Sequence, residues 1–116
     1  MNIEACYHKM GANYAEVRSR LPSDAFIKRF ALKFLDDPTF ALLEKSLSEE
    51  NVEEAFRAAH TLKGITQNLG FSQLSPLAVE ITEILRQDTM DSTDTLFPQL
   101  KEKYDRTVAC IKEVDE

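Results

Sequence analysis

His60 stands in a segment whose residue types suit the chemistry of group transfer. Imidazole is substantially neutral near pH 7 and offers a nucleophilic nitrogen. Lys63, Gly64 and Gln67 follow His60 by three, four and seven positions, so all of them share its face if the segment is helical. The ammonium of Lys63 would offset the charge of about −2 that a phosphoryl group brings. The spacing therefore indicates a histidine that could accept a phosphoryl group.

Gly64 is an unusual residue for the interior of a helix, where glycine costs about 1 kcal/mol relative to alanine. A side chain at this position would lean toward the helix N-terminus and over the imidazole of His60. Two explanations follow: the glycine clears a path by which a partner reaches His60, or it allows a neighbouring helix to pack closely. The nearby His60 and Lys63 favour the first explanation.

Other residues with reactive side chains do not form a comparable set. His8 has Glu4 one turn away but no second histidine at a metal-ligand spacing, so we expect no metal site. Cys6 and Cys110 are expected to pack as small apolar residues. The chain has no glycine-rich nucleotide loop, and we therefore expect no phosphorylation of itself from ATP and no cofactor.

Composition narrows the class of protein further. The 116 residues fit one domain, 1–116, and the net charge of −6 argues against binding to nucleic acid. The sequence contains no apolar run long enough to span a membrane, and the N-terminus does not resemble a secretory signal. With two widely separated cysteines, we expect a cytoplasmic protein with reduced thiols.

The apolar residues recur at the helical period of three to four, and glycines and prolines are too few for an all-β domain. We predict an all-α, antiparallel (up-and-down) four-helix bundle with an additional N-terminal helix. The expected helices cover residues 3–20 with an interruption at Gly11, 23–35 from an N-cap at Ser23, 38–48 from Asp37-Pro38, and 51–69 from an N-cap at Asn51. The next helix is capped by Ser72 or Ser75, of which Ser75, followed by Pro76, is the preferred start, and a last helix follows the polar stretch 88–94.

Each predicted helix has an apolar face that we expect to be buried. In the helix of residues 23–35 this face comprises Phe26, Ile27, Phe30 and Phe34. In the helix of His60 it comprises Val52, Ala55, Phe56, Ala59, Leu62, Thr66 and Leu69, and in the following helix Leu77, Ile81, Ile84 and Leu85. His60 lies well to one side of its stripe, so we expect an exposed imidazole.

The run Ala-His-Thr-Leu-Lys-Gly at positions 59–64, followed by Asn-Leu-Gly at 68–70, resembles the signature of histidine-containing phosphotransfer (HPt) domains. The resemblance implies a four-helix bundle whose exposed histidine carries a phosphoryl group between receiver-domain aspartates, or from a sensor kinase to a receiver. His60 is then the phosphoacceptor, Lys63 steadies the phosphoryl group, and Gly64 leaves the docking path open. Such a chain is a phosphocarrier without its own kinase activity.

The resemblance also suggests further residues around His60. Some members place a glutamine or a basic residue on the next helix, where Thr82 and Arg86 are the nearest candidates; Arg57 and Gln67 complete the predicted phosphate-stabilising and docking set. The docking surface is expected to include Phe71, Glu83 and Arg86. The implied partners are receiver domains of response regulators or of hybrid sensor histidine kinases, and we expect a monomer.

Two other functions remain open on the sequence. The chain could be the phosphoryl-accepting module of a chemotaxis-type histidine kinase, which shares the short histidine motif. The end of the sequence shortly after the last predicted helix favours the free-standing carrier. The chain could also be a non-catalytic helical adaptor, which would be indifferent to the replacement of His60.

Overall fold

The computed structural model describes residues 1–115, and all regular secondary structure within them is helical. The seven helices are α1 (Ile3–Met10), α2 (Tyr14–Arg20), α3 (Asp24–Phe34), α4 (Thr39–Ser48), α5 (Val52–Asn68), α6 (Ser75–Arg86) and α7 (Thr93–Lys112). The all-α architecture is confirmed. The N-terminal addition contains three helices: α1 and α2 divide the predicted helix of residues 3–20 near Gly11, and α3 corresponds to the predicted helix of residues 23–35.

The helices from α4 onward form the bundle. α5 packs between α4 and α6, and α6 packs against α7. Because the connections between these consecutive helices are short, neighbouring helices run in opposite directions. α7 approaches α4 through the ring of Phe40, which stacks on Tyr104 and Phe97, and through an ion pair between Lys101 and Glu44.

The N-terminal helices close the remaining side of the bundle. α1 packs against α7 and α3, and α2 packs against α1 and α3. Their buried side chains join a single apolar core with those of the bundle; the largest fully buried members include Tyr7, Val17, Ile27, Leu62, Phe71 and Ile111.

Local signals set most of the helix ends. Asn51 and Ser23 cap their helices as predicted, each side chain accepting a hydrogen bond from a backbone N–H three residues later. Gly11 separates α1 from α2 in the left-handed conformation, with φ of 76°. The predicted cap at Ser75 is wrong: α6 already includes Ser75, and Leu74 occupies the cap position without a side-chain hydrogen bond.

The predicted apolar face of α3 is partly wrong. Ile27 and Phe34 are buried as expected, and the third buried residue is Ala31. Phe26 and Phe30 are each 39% exposed. The exposed rings lie beneath cationic groups, with Arg29 over Phe26 and Lys33 over Phe30. The small side chain of Ala31 suits the close approach of neighbouring helices, and the bulky rings are left on the solvent side.

Candidate functional site

His60 lies at the middle of α5, on its solvent-facing side. The opposite side of this helix is buried through Ala55, Ala59, Leu62 and Thr66, which follow one another at helical spacing. Because burial of this stripe fixes the rotation of α5, the imidazole of His60 faces solvent. The predicted exposure of His60 is therefore confirmed by the geometry of the helix.

The ring of Phe56 forms one wall of the site. It stacks on the imidazole of His60, with ring centroids 5.9 Å apart and an interplanar angle of 21°. The guanidinium carbon of Arg86, on α6, lies 5.1 Å from the centroid of the same ring, within the range of a cation–π contact. Phe56 was predicted to be a core residue, but it is half-buried and connects His60 to α6.

Lys63 lies one turn beyond His60 and is half-buried. Among residues 1–115, no carboxylate lies within ion-pairing distance of its ammonium. This cation is therefore uncompensated next to the imidazole, where an incoming anion would meet it.

Gly64 faces open space. A Cβ atom built on this glycine meets no heavy atom within 4 Å, other than the atoms of its own helix backbone and chain neighbours. No neighbouring helix therefore requires a glycine here, and close helix packing does not explain it. The surface beside His60 is open at this position.

The other predicted basic residues are engaged with carboxylates. Arg57 pairs with Glu53 at 2.7 Å and with Glu54 at 2.9 Å, both nearer to the N-terminus of α5. Arg86 pairs with Glu83 at 3.3 Å. These pairs are exposed and therefore weak, but they leave less unbalanced positive charge at Arg57 and Arg86 than at Lys63. Gln67 is exposed, two turns beyond His60.

Two residues that we expected near the site are buried instead. Thr82 is fully buried, and its hydroxyl donates a hydrogen bond of 2.6 Å to the carbonyl of Ala78. Phe71 is also fully buried, packed against Tyr7 and Phe34. Thr82 therefore cannot reach a phosphoryl group, and Phe71 cannot contact a docked partner without a change of fold.

Helices α1 and α2 hold the C-terminal end of α5. The last turn of α5 has no basic residue of its own, but Arg20 donates hydrogen bonds to the carbonyls of Gln67 (2.7 Å) and Asn68 (2.9 Å). The buried hydroxyl of Tyr7 donates to the carbonyl of Leu69 at 2.6 Å. Arg20 thus supplies the cation that complements the negative end of a helix dipole.

Gly70 follows the end of α5 in the left-handed conformation, with φ of 69°. A Cβ atom here would lie 2.7 Å from the carbonyl oxygen of Asn13. Asn13 in turn donates its backbone N–H to the carbonyl of Gly70 at 2.7 Å. Both the backbone conformation and the close approach of this loop therefore require glycine.

A cleft of about 450 Å³ adjoins the C-terminal half of α5. Ile65 and Asn68 contribute its wall from α5, while Phe30 and Lys33 contribute from α3 and Arg20 from α2. The cleft therefore combines an exposed aromatic ring with the cation of Lys33 and the carboxylate of Asp37, while Arg20 is already bonded to Glu16 and to carbonyls of α5. No single sequence pattern indicates this cleft, because residues from three separate helices form it.

A model of the Hpt domain family matches residues 37–110, a segment that includes His60, Lys63 and Gly64. The chain belongs to the Hpt domain family. Hpt domains are the histidine phosphotransfer modules of two-component signalling, and they act with kinase and receiver components. The sequence resemblance is thereby confirmed.

The Hpt domain of this chain is also similar to part of a much larger protein. It is 36% identical over 70 residues to the chemotaxis protein CheA of Halobacterium salinarum. The match covers 58% of this chain and 10% of CheA, so the chain spans about a tenth of the length of this relative. No solved structure matches the chain.

The N-terminal helices precede the segment matched by the Hpt family. Tyr7, Asn13 and Arg20, which bind the C-terminal end of α5, therefore belong to the part of this chain that the family match does not cover. Within residues 1–115, no group of three or more His, Cys, Asp and Glu residues is arranged to hold a metal ion. No helix in that part of the chain combines the length and the apolar character needed to cross a membrane.

Proposed function

We propose that this Hpt domain is a histidine phosphocarrier of a multistep two-component phosphorelay. His60 accepts a phosphoryl group and passes it to or from the aspartate of a receiver domain. One observation carries this proposal: the exposed imidazole lies one turn before both an open glycine surface and a lysine without a carboxylate partner in the described chain. Such a site can be reached by a second protein and can bear added negative charge.

The transfer needs little chemistry from the carrier itself. A neutral imidazole nitrogen attacks the phosphorus of an aspartyl phosphate, an N–P bond forms, the acyl P–O bond breaks, and the aspartate leaves as a carboxylate. Most of the rate acceleration comes from two effects: the imidazole nitrogen is positioned in line with the breaking bond, and the charge of the phosphoryl group is compensated. His60 provides the nucleophile and Lys63 the compensating charge, while any catalytic metal ion belongs to the receiver.

The partner's docking surface extends to both sides of His60. On one side, Glu83 and Arg86 are exposed on α6. On the other, the cleft beside α5 offers the ring of Phe30 and the cation of Lys33, with Asp37 also in its lining. Residues 14–35 contain five Lys and Arg and two acidic residues, in a chain whose net charge is −6. This local excess of positive charge favours a receiver surface with acidic and apolar side chains.

Replacement of His60 tests the proposal directly. A phosphorylated receiver should label the wild-type chain, and the label should be labile in acid and stable in base, as expected for an N–P bond. His60→Gln should abolish labelling and preserve helicity, while His8→Gln, at an exposed histidine on α1, should leave labelling unchanged. Labelling that persists in folded His60→Gln contradicts the assignment and supports an adaptor.

A second function is supported by the similarity to CheA. The chain could serve as the phosphoryl-accepting module of a chemotaxis-type histidine kinase, as the 36% identity over 70 residues suggests. Two donors distinguish the functions: a chemotaxis-type kinase core with ATP, and a phosphorylated receiver. Faster labelling of His60 by the kinase core supports the kinase module, whereas faster labelling by the receiver supports the carrier.

Three further properties are part of the proposal. The carrier is a monomer, it operates in the cytoplasm, and residues 1–116 form one domain. Support for a single domain comes from the continuous core, in which Tyr7 and Val17 of the N-terminal helices pack with Leu62 of α5. Sedimentation should give the mass of one chain, 13.2 kDa, and unfolding should show one transition for the whole chain.

A further inference from the structure

The two cysteines of the chain meet inside the protein. Cys6 on α1 and Cys110 on α7 are both buried, and their Sγ atoms lie 3.4 Å apart. A disulfide requires a separation of about 2.05 Å, so a displacement of about 1.4 Å would bring the sulfur atoms to bonding distance. The two thiols are 104 residues apart in the sequence, and this proximity is created by the packing of α1 on α7.

A second cleft, of about 340 Å³, gives access to one of these thiols. Cys110 contributes to its lining, together with Lys9, Lys103, Arg106 and Glu113. Lys9 pairs with Glu113 at 2.9 Å and Arg106 with Glu102 at 2.6 Å, whereas Lys103 has no carboxylate partner among the described residues and leaves the cleft with one uncompensated cation. The cleft therefore attracts small anions.

Gln73 adds a polar group to this cleft. Its amide nitrogen donates to the hydroxyl of Thr107 at 3.0 Å, but its buried Oε1 has no hydrogen-bond partner among the described residues. A buried acceptor without a partner is uncommon, and this one could accept a hydrogen bond from a peptide N–H. Positive charge and an amide acceptor beside a thiol suit a small anionic peptide.

We propose that Cys6 and Cys110 form a redox-active pair, and that the basic cleft admits a small anionic peptide disulfide that oxidises them to a disulfide joining α1 to α7. Glutathione disulfide is the probe of this class. The site is separate from His60 and does not depend on the proposed phosphotransfer.

The oxidation proceeds by two thiol–disulfide exchanges. The thiolate of Cys110 attacks one sulfur of glutathione disulfide, forming a mixed disulfide and releasing one glutathione thiolate. The thiolate of Cys6 then attacks the sulfur of Cys110 and displaces the second glutathione thiolate. The two protons lost by the cysteines pass to the released thiolates. In total, two protein thiols are oxidised and one glutathione disulfide is reduced to two glutathione molecules.

The surroundings of the two thiols set this order. Cys110 borders the cleft, whereas Cys6 is fully buried. Burial, followed by the hydrogen bond and charge interaction with Cys110, raises the pKa of Cys6 to about 12. The thiolate is the attacking form, so Cys6 reacts slowly at first. Cys110 is therefore the first thiol to react, and Cys6, whose Sγ lies 3.4 Å from that of Cys110, is the second.

Mass spectrometry of the folded, reduced protein after incubation with glutathione disulfide tests the proposal. The wild type should lose two hydrogen atoms, and a subsequent reductant should restore them. Cys6→Ala should stop at a glutathione adduct on Cys110, while Cys110→Ala should gain no adduct. Alanine is apolar and small, so both variants should keep their helicity. A folded wild type that retains two free thiols, or an adduct that forms on Cys6 instead, overturns the proposal.

The charge of the cleft is tested by comparing two reagents. Glutathione disulfide, an anion, should oxidise the wild type several-fold faster than cystamine, a cationic disulfide. Lys103→Gln, in the cleft, should reduce this ratio, whereas Lys112→Gln, on the same helix but outside the cleft lining, should not. Equal rates for both reagents contradict the role of the cleft.

The oxidised wild type should also melt about 10 °C higher, because the disulfide closes a loop of about 100 residues.

Discussion

The imidazole of His60 stacks on the ring of Phe56 one turn earlier in α5, with planes inclined by 21°. The same ring receives the guanidinium of Arg86 from α6. Phe56 therefore holds two side chains at once, and it links the orientation of the imidazole to the neighbouring helix. Offset stacks of this kind contribute about 0.5–1.5 kcal/mol beyond burial.

Replacement of Phe56 by leucine should slow phosphotransfer more than it lowers stability. Leucine retains apolar bulk but removes the flat surface that orients His60, so we expect a loss of about two- to tenfold in rate. Arg86→Ala removes the other partner of the ring and should have a smaller effect. Initial rates of transfer from a phosphorylated receiver measure both. A rate in Phe56→Leu equal to that of wild type would show that the stack does not orient the nucleophile.

Lys63 should assist transfer without being essential. One half-exposed cation near a phosphoryl group should contribute roughly 0.5–2 kcal/mol after solvent screening, so Lys63→Ala should slow transfer by about three- to thirtyfold. The lifetime of phospho-His60 should also shorten. Lys112→Ala, at an exposed lysine on α7, is the control for loss of positive charge. Wild-type rates in Lys63→Ala would make Lys63 an ordinary surface residue.

The open space at Gly64 predicts opposite responses of stability and transfer. Gly64→Ala should raise the free energy of unfolding by up to about 1 kcal/mol, because the glycine penalty in a helix is removed and the new methyl group meets no atom. Gly64→Gln should also keep the fold, but its longer side chain should extend over His60 and reduce transfer steeply.

Thr61→Gln, at an exposed position of α5, is the matched control for Gly64→Gln. Thermal melts and transfer rates should be measured on all three variants. If transfer falls only in proportion to the loss of folded protein, Gly64 has no role in access to His60. If Thr61→Gln reduces transfer as strongly as Gly64→Gln, the obstruction is not specific to the open side of the imidazole.

Phe30 and Phe26 provide a comparison between two similar exposed rings. Both are 39% exposed on α3 and both lie beneath a cation, but Phe30 lines the cleft beside α5 and Phe26 does not. Phe30→Ala should weaken receiver binding by about 1–2 kcal/mol, as expected for an aromatic anchor, and Phe26→Ala should change it little. Binding titrations with the receiver test this. Equal losses would place the docking surface elsewhere on α3.

Stability should fall in alkaline solution. The folded protein keeps Cys6 protonated until its pKa of about 12, whereas the unfolded thiol ionises near 9.0. The unfolded chain therefore releases a proton first, and the free energy of unfolding decreases above pH 9 by up to about 1.4 kcal/mol per pH unit. Burial raises the pKa of Tyr7 as well, which adds to the loss at higher pH.

Urea titrations at about pH 8 and about pH 10 measure this dependence. Cys6→Ala should lose less stability than the wild type between these values, because its unfolded state has one thiol fewer to ionise. An identical decrease in both proteins would assign the alkaline loss to groups other than Cys6.

The rotation of α5 followed from its own sequence, but the rotation of α3 did not. Along α5 the buried stripe and the polar face alternate cleanly, so the exposure of His60 was predictable. In α3, the buried face is too small to hold all four large apolar residues of the predicted stripe, Phe26, Ile27, Phe30 and Phe34. The choice of Ala31 over Phe26 and Phe30 depends on how closely other helices approach, which periodicity does not specify.

Residues at the margin of the core were the hardest to place. Phe56 and Thr82 illustrate the difficulty: the apolar residue takes part in the site, and the polar one is buried with its hydroxyl bonded to a carbonyl of its own helix. Threonine can satisfy its hydroxyl in this way, so polarity alone does not put it in solvent. The caps at Ser23 and Asn51 were predictable because they involve neighbours in sequence.

The hydrogen bonds from Arg20 and Tyr7 to the end of α5 affect how far the chain can be truncated at its N-terminus. A fragment starting at residue 37, where homology to the family begins, would lose both donors to the last carbonyls of the helix. Its final turn would then be free to fray toward Gly64. The segment matched by the family therefore lacks the side chains that bind the last carbonyls of the helix bearing the histidine.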